Sequence, residues 1–429
     1  MRWTLLLSLL FAALASGQGI EPSESELDGL EQLYVYLHRN PELSFHEAET
    51  AGKLMSELRP LGYEITSPIG GTGFAAMLKN GDGPTVLIRT DLDALPVAEQ
   101  TGREYASTVK TTDDSGAEVS VMHACGHDVH MATFIGVARA LAGVKERWKG
   151  TLLLIGQPAE ERGAGARAML ADGLFSRTAQ PDYALALHSS PELPAGQIGY
   201  TSGFALANTD SIDITIRGVG GHGAYPQATK DPVLIAAYVI TALQTIVSRE
   251  TNPLDSVVVT VGSIHGGTKH NIIGDEVKLQ LTVRSYQDDV RLRTLDSIRR
   301  IVTQTARAFG VPADREPLVS IVEAEHTPAA YNDPALIDRL VMVWRQAFGP
   351  ANVVETPPVM AGEDFSRYGR TEADIPAVIF WLGTVEPQRV QSGEPLPSLH
   401  SPFFKPEPRA AIHTGVRAMT AAALELLGR

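Results

Sequence analysis

The sequence predicts an α/β protein: a mostly parallel sheet flanked by helices, with an α+β segment inserted into it. Short apolar runs at Thr85–Ile88, Thr151–Ile155 and Tyr183–Leu187 read as buried strands, and helical stretches alternate with them. Near Asn208 the texture changes. Ile212, Ile214 and Ile216 fall on every second residue, as on a half-exposed antiparallel strand. A chain of 429 residues is also too long for one ordinary core, so two bodies are expected.

In chain order, residues 1–17 read as a secretory signal peptide: Arg2 near the start, an apolar stretch Leu5–Leu14, and small residues up to Gly17. The stretch is too short for a permanent anchor, so export to the periplasm or the cell exterior is expected, with no membrane anchor. Its removal takes away Arg2 and no acidic residue, moving the formal charge from −14 to −15. An acidic chain without a basic block is a poor partner for nucleic acid.

Residues 18–206 form the first part of the larger body. A helix from Ser25 carries Leu27, Leu30, Leu33, Tyr34 and Leu37 on one face and stops at Asn40-Pro41; a second spans Glu47–Leu58. Gly73–Leu78 is another strand, and Tyr105–Ser120 an exposed hairpin or loop. The insert, 207–317, reads as strand, helix (Pro232–Ser248), two strands (Val257–Ile264, Glu276–Val283) and helix (Val290–Phe309). Residues 318–429 return to the first texture, with Val378–Trp381 as a late buried strand.

The chemistry concentrates in His123-Ala124-Cys125-Gly126-His127-Asp128-Val129-His130, which holds three of the twelve histidines and the only cysteine. Val119, Val121 and Met122 lead in as a strand would, an apolar run at helical spacing follows, and Asp128 stands where a helix cap belongs. Such a strand–helix edge is where open α/β sheets bind ligands. A single thiol in an exported protein forms no internal disulfide, and flanking histidines favour metal ligation.

Other polar residues gather at predicted strand ends: Asp91, Glu160, Glu161 and His188, with His400 near the C-terminus. Cys, His and carboxylate suit zinc and its first-row neighbours. In the Glu160-Glu161 pair one carboxylate can bind metal while the other takes a proton. In the insert, Gly218–Ala224 presents His222 on a glycine-rich turn without the Lys-Ser/Thr of a phosphate loop; it can donate to an oxyanion or a carboxylate. Asn271 and Arg284 can face a substrate carboxylate. Glu363-Asp364 is a loop carboxylate pair, equally a solvated one. No Gly-x-Ser-x-Gly is present, whereas Cys125 can equally be the nucleophile of a cysteine hydrolase.

These stretches, together with His38-Arg39-Asn40-Pro41-Glu42-Leu43-Ser44, Arg89–Pro96, Gln157–Glu161 and Leu399–Pro402, run in order through nearly the whole mature chain. The chain resembles the aminoacylase–carboxypeptidase family of dinuclear metallohydrolases, in the amidohydrolase branch with hippurate hydrolases and indole-acetyl-amino-acid hydrolases. The resemblance implies a metallopeptidase-like catalytic domain with an inserted lid and dimerisation domain. It implies two divalent metal ions, zinc above all, with nickel, cobalt or manganese as alternatives. Cys125, His127, Glu161, His188 and His400 would hold them, with the thiolate bridging. Glu160 would be the general base, Asp91 the carboxylate that orients the ligands, and His222, with Asn271, the oxyanion donor, supplied by its own or a neighbouring subunit. The expected activity is hydrolysis of N-acyl amino acids or similar small amides by a homodimer or higher homo-oligomer. The alternatives are a carboxypeptidase or dipeptidase on the same scaffold, and a metal-dependent binding protein without turnover. Gln227, where this branch often carries His, and a long loop over residues 111–120 depart from the family pattern, at positions that bear on substrate access.

Overall fold

The computed structural model describes residues 21–428. The signal-peptide expectation therefore lies outside the described residues. The chain divides into two compact units. The first runs to Ala205, resumes at Tyr331–Pro357 and continues from Asp364; the second is Leu206–Ala330 with Pro358–Glu363.

The first unit is built on an eight-stranded sheet. Its order is Glu64–Ile69, Gly73–Asn80, Gly150–Gln157, Thr85–Asp91, Tyr183–Pro194, Ala377–Val385, Ile198–Tyr200, Val353–Glu355. The four strands from Gly150–Gln157 to Ala377–Val385 are mutually parallel. Alternate residues (Val86 and Ile88, Leu152 and Leu154, Leu185 and Leu187) share one core with the helices Glu24–Arg39, His127–Gly143 and Pro408–Leu426. The intervening Leu87, Leu153, Ala184 and Ala186 are buried as well. Both faces are thus covered, which is why these strands read as unbroken apolar runs. The helix His127–Gly143 is buried on nearly every side, so it lacks an amphipathic stripe.

Register places the site. Asp91 pairs with Gln157, and Ile88 with Leu185, so Asp91 and His188 come to the same sheet edge. His188 does not end its strand, contrary to the sequence expectation. The strand continues to Pro194 because Ser189 and Ser190 stay paired with Leu382 and Gly383.

Two local expectations are corrected. The segment before Cys125 is not a strand of the central sheet. Glu118–Ser120 pairs with Lys110–Thr112 in a separate hairpin, while Val121 and Met122 pack in small side clusters. Asp128 is not the helix cap either. The helix starts at His127 after Gly126, whose backbone is left-handed (φ 83°), and the Asp128 carboxylate accepts from His38 Nδ1 at 2.6 Å. A Cβ at Gly126 would stand 2.7 Å from Ser189 Oγ, so only glycine fits this entry.

The second unit is an antiparallel sheet in the order Val257–Gly266, Glu276–Ser285, Asn208–Arg217, Leu318–Ile321. Ile212, Ile214 and Ile216 are buried with Val277, Leu279, Leu281 and Val283 beneath the helices Pro232–Thr245 and Asp288–Ala308. The sequence reading ended this segment at residue 317. Leu318–Ile321 instead pairs with Asn208–Arg217, so the unit extends to Ala330. By length and composition, Pro232–Glu250 could cross a membrane; Ile235, Ala236, Val239 and Leu243 on one side of it lie in the second core.

Candidate metal centre

Three backbone devices gather the site in the first unit. The parallel strand ends bring up Asp91, Asp93 and the Gln157-Pro158 exit. The Gly126 entry presents Cys125 and His127. After Pro158, Ala159 adopts a left-handed conformation (φ 48°), and the chain turns through a short 3-10 segment, Glu160–Arg162.

The structure brings Cys125, His127, Glu160, Glu161, His188 and His400 together. Cys125 belongs to two triads, Cys125–His127–His188 and Cys125–Glu161–His400. Within each, the ligand atoms lie within 4.8 Å of one another. Cys125 Sγ is 3.5 Å from His188 Nε2. His127 Nε2 is 3.8 Å from a Glu161 oxygen and 3.9 Å from a Glu160 oxygen, and His400 Nε2 is 3.4 Å from the other Glu161 oxygen. His400, also left-handed (φ 65°), is held against the cysteine turn by its N–H to the Ala124 carbonyl.

The ring nitrogens are sorted by hydrogen bonds. His127 Nδ1–H donates to the Asp93 carbonyl at 2.8 Å, and His188 Nδ1–H to the Ser189 carbonyl at 2.9 Å. Each ring therefore turns Nε2 towards the centre, as a metal-ligating imidazole does. His130 is different. Its Nε2 accepts from Ser189 N–H at 2.8 Å and its Nδ1–H donates to Asp91 at 2.8 Å, so it braces Asp91 and offers no lone pair. Asp91 also receives the buried Arg89 guanidinium at 2.7 Å.

The fit of a cation is tested by what the protein leaves unsatisfied. His127 Nε2 and Glu161 Oε1 are buried and lack a hydrogen-bond partner, which an uncharged interior does not tolerate. Burial, then the Asp93 and Asp91 charges, push the Glu161 carboxyl up to about 8. Burial opposes protonation of His127, but Asp91, Asp93 and Glu161 raise it to about 10. The cluster thus carries surplus negative charge and recruits protons where cations would stand. Burial, then His130, hold His188 well below its ordinary value, and burial, then His127, lower His400; both remain neutral imidazoles suited to ligation.

Sequence reasoning left Asp93 without a role. Its carboxylate accepts from Glu160 N–H at 3.2 Å, Glu161 N–H at 3.0 Å and Ser44 Oγ–H at 2.6 Å. The Asp-x-Asp spacing at a strand end was the available signal. Of the carboxylate pair Glu363-Asp364, Asp364 is structural: it accepts from Gln157 Nε2, Ala166 N–H and Arg89. His222, Asn271 and Arg284 lie in the second unit. His222 is exposed and its Nδ1 accepts from Ala224 N–H at 3.0 Å, which leaves the proton on Nε2. Asn271 stands beside it through Gly223 N–H to the Asn271 carbonyl. Arg284 donates to the Met360 carbonyl at 2.6 Å.

Residues 87–425 match the model of peptidase family M20/M25/M40. The chain belongs to that family. It is 36% identical over 361 residues to thermostable carboxypeptidase 2 of Saccharolobus solfataricus, covering 83% of this chain and 86% of the relative. It is 36% identical to an N-acetyl-L-cysteine deacetylase of Bacillus subtilis (84% and 81% covered), and 35% to IAA-amino acid hydrolase ILR1-like 4 of Arabidopsis thaliana (86% and 79%). Among solved structures, a dinuclear metal-binding M20 peptidase of Bacillus subtilis superposes with a TM-score of 0.77 at 30% identity, over 94% of this chain and 99% of that one. This M20 member is a metal-dependent hydrolase of amide or peptide-type bonds, and its ligand groups suit two divalent cations.

Proposed function

We propose that the protein is an exported amidohydrolase that removes the acyl group from N-acyl amino acids or similar small amides, with zinc as its metal. The observation that carries the reading is Cys125 shared between two ligand triads, with Glu160 beside them. Thiolate and imidazole donors favour zinc; nickel, cobalt and manganese suit the same ligands less selectively. Cys125, His127, Glu161, His188 and His400 would hold the pair, and Asp91 and Asp93 orient them.

When bound, two such cations polarise the amide carbonyl and make a water nucleophilic near neutral pH. Glu160 takes the proton of the attacking water and returns it to the amine nitrogen as the C–N bond breaks, leaving acid and amine. The carboxylate is steadied for this by Asp93, which fixes the Glu160 N–H. His222, with its proton on Nε2, has the tautomer an oxyanion donor needs, a role worth about 2.7–4 kcal/mol for one donor. Asn271 and Arg284 are assigned to the substrate on chemistry alone. Val233, Leu234 and Tyr238, exposed on one helix, and the edge strand Val257–Gly266 support a homodimer formed through the second unit.

The substrate class rests on the deacetylase and IAA-amino acid hydrolase likenesses. The carboxypeptidase likeness at the same identity favours a second reading, release of C-terminal residues from peptides. A panel of N-acetyl amino acids and short peptides, assayed with the zinc-loaded mature protein, separates them. Acetate release with intact peptides supports the proposal; free C-terminal residues with untouched N-acetyl amino acids would overturn it.

A further inference from the structure

Glu47 is fully buried and stands at the N-terminal boundary of the helix Ala48–Leu58, yet its side chain does not cap that helix. One carboxylate oxygen instead accepts from Ala159 N–H at 2.8 Å and from Phe45 N–H at 2.9 Å, and the other accepts from the Thr72 hydroxyl. Among the described residues only four non-glycines take a left-handed φ, and Phe45 (66°) and Ala159 (48°) are two of them. An L-residue holds that conformation only where its surroundings over-determine it. Ala159 is the residue whose turn aims Glu160 and Glu161.

We infer that Glu47 is a positioning residue for the reaction: its carboxylate locks Ala159 in the left-handed conformation and so fixes where Glu160 and Glu161 point. Three successive N–H groups, of Ala159, Glu160 and Glu161, go to two buried carboxylates, Glu47 and Asp93. The Ala159 carbonyl is used as well, by the N–H groups of Ala164 and Gly165 at 3.2 Å each. One short segment supplies the first clamp and braces the second, because Glu47 grips Ala159 while Ser44 Oγ–H donates to Asp93. The turn is held from two sides.

The inference rests on the assignment of Glu160 and Glu161 to the reaction, so its test needs a reading that does not depend on turnover. The mature protein is loaded with cobalt(II), whose visible spectrum reports ligand geometry, and kcat and KM are measured with the zinc form. Glu47→Gln keeps an acceptor within reach of Ala159 and Phe45. Glu47→Asp keeps the charge but falls short by one methylene. Glu47→Gln should therefore retain the wild-type cobalt spectrum and kcat. Glu47→Asp and Glu47→Ala should alter the spectrum and lower kcat by about 10²-fold, the scale of a misplaced catalytic group, with KM little changed. Ala159→Gly in the Glu47→Asp background should restore part of that loss, since glycine adopts the turn unaided. Should Glu47→Ala fail to fold, the Gln and Asp variants still decide. An active Asp variant beside an impaired Gln variant would overturn the inference, because charge and not reach would then matter. So would wild-type spectra in every variant. A Glu160→Gln control that keeps full kcat would instead remove Glu160 from the reaction, leaving the spectra to judge Glu47.

Discussion

The peptide backbone leaves the sheet after Gln157 and turns at Ala159, and the next two side chains reach one centre from that single short turn. Glu161 lies against both His127 and His400, and Glu160 lies against His127. The proposed function divides the pair, with Glu161 assigned to ligation and Glu160 to carrying a proton. Glu160→Gln is expected to lower kcat by about 10²–10⁴-fold while the metal content stays at the wild-type level. Parallel loss of metal and activity in elemental analysis and kinetics would assign Glu160 to ligation instead. The six residues gathered here were legible in the sequence because Cys, His and paired Glu at strand ends are chemically distinctive. The bracing roles of Asp93, His130 and Glu47 were not. These residues act by accepting backbone N–H groups or by bracing a neighbour, and nothing in their type distinguishes that from solvated polarity.

At the scale of elements, the last turn of the helix Glu24–Arg39 is tied to the first turn of the helix His127–Gly143. His38 donates from Nδ1 to Asp128 at 2.6 Å and from Nε2 to Glu99 at 3.1 Å. Burial opposes a charged ring, but the hydrogen bonds to Asp128 and Glu99 outweigh it and raise His38 from 6.5 to about 9. A raised folded-state value stabilises most below the unfolded value, and that stability drains away as pH rises through the folded one. The contribution is therefore full below pH 6.5 and lost by about pH 9. His38→Asn should lower Tm most at pH 6, with the gap to wild type narrowing steadily towards pH 9. A gap independent of pH in thermal melts would contradict a charged His38. The sequence pointed to Asp128 at the start of this helix but not to its partner, because His38 lies 90 residues away. Elements whose signal is local, the buried parallel strands and the exposed hairpin, were readable. The segment before Cys125 misled because its valines bury in side clusters instead of in the main core.

At the scale of the whole molecule, every residue of the two ligand triads lies in the first unit. The inserted unit was visible as a change from unbroken apolar runs to alternation. Its far boundary was not, because Leu318–Ile321 is too short to carry a period of its own and joins its sheet through non-local pairing with Ile212–Thr215. The central claim is a dinuclear centre that activates water, set against a cysteine nucleophile with His188 3.5 Å from its sulfur. It is tested most directly by elemental analysis of the purified mature protein, with N-acetyl amino acid hydrolysis followed before chelation, after it, and after zinc is returned. Two divalent ions per chain are expected, with activity lost on chelation and restored by zinc. Protein stripped of metal that still turned over substrate would contradict the account and make Cys125 the nucleophile.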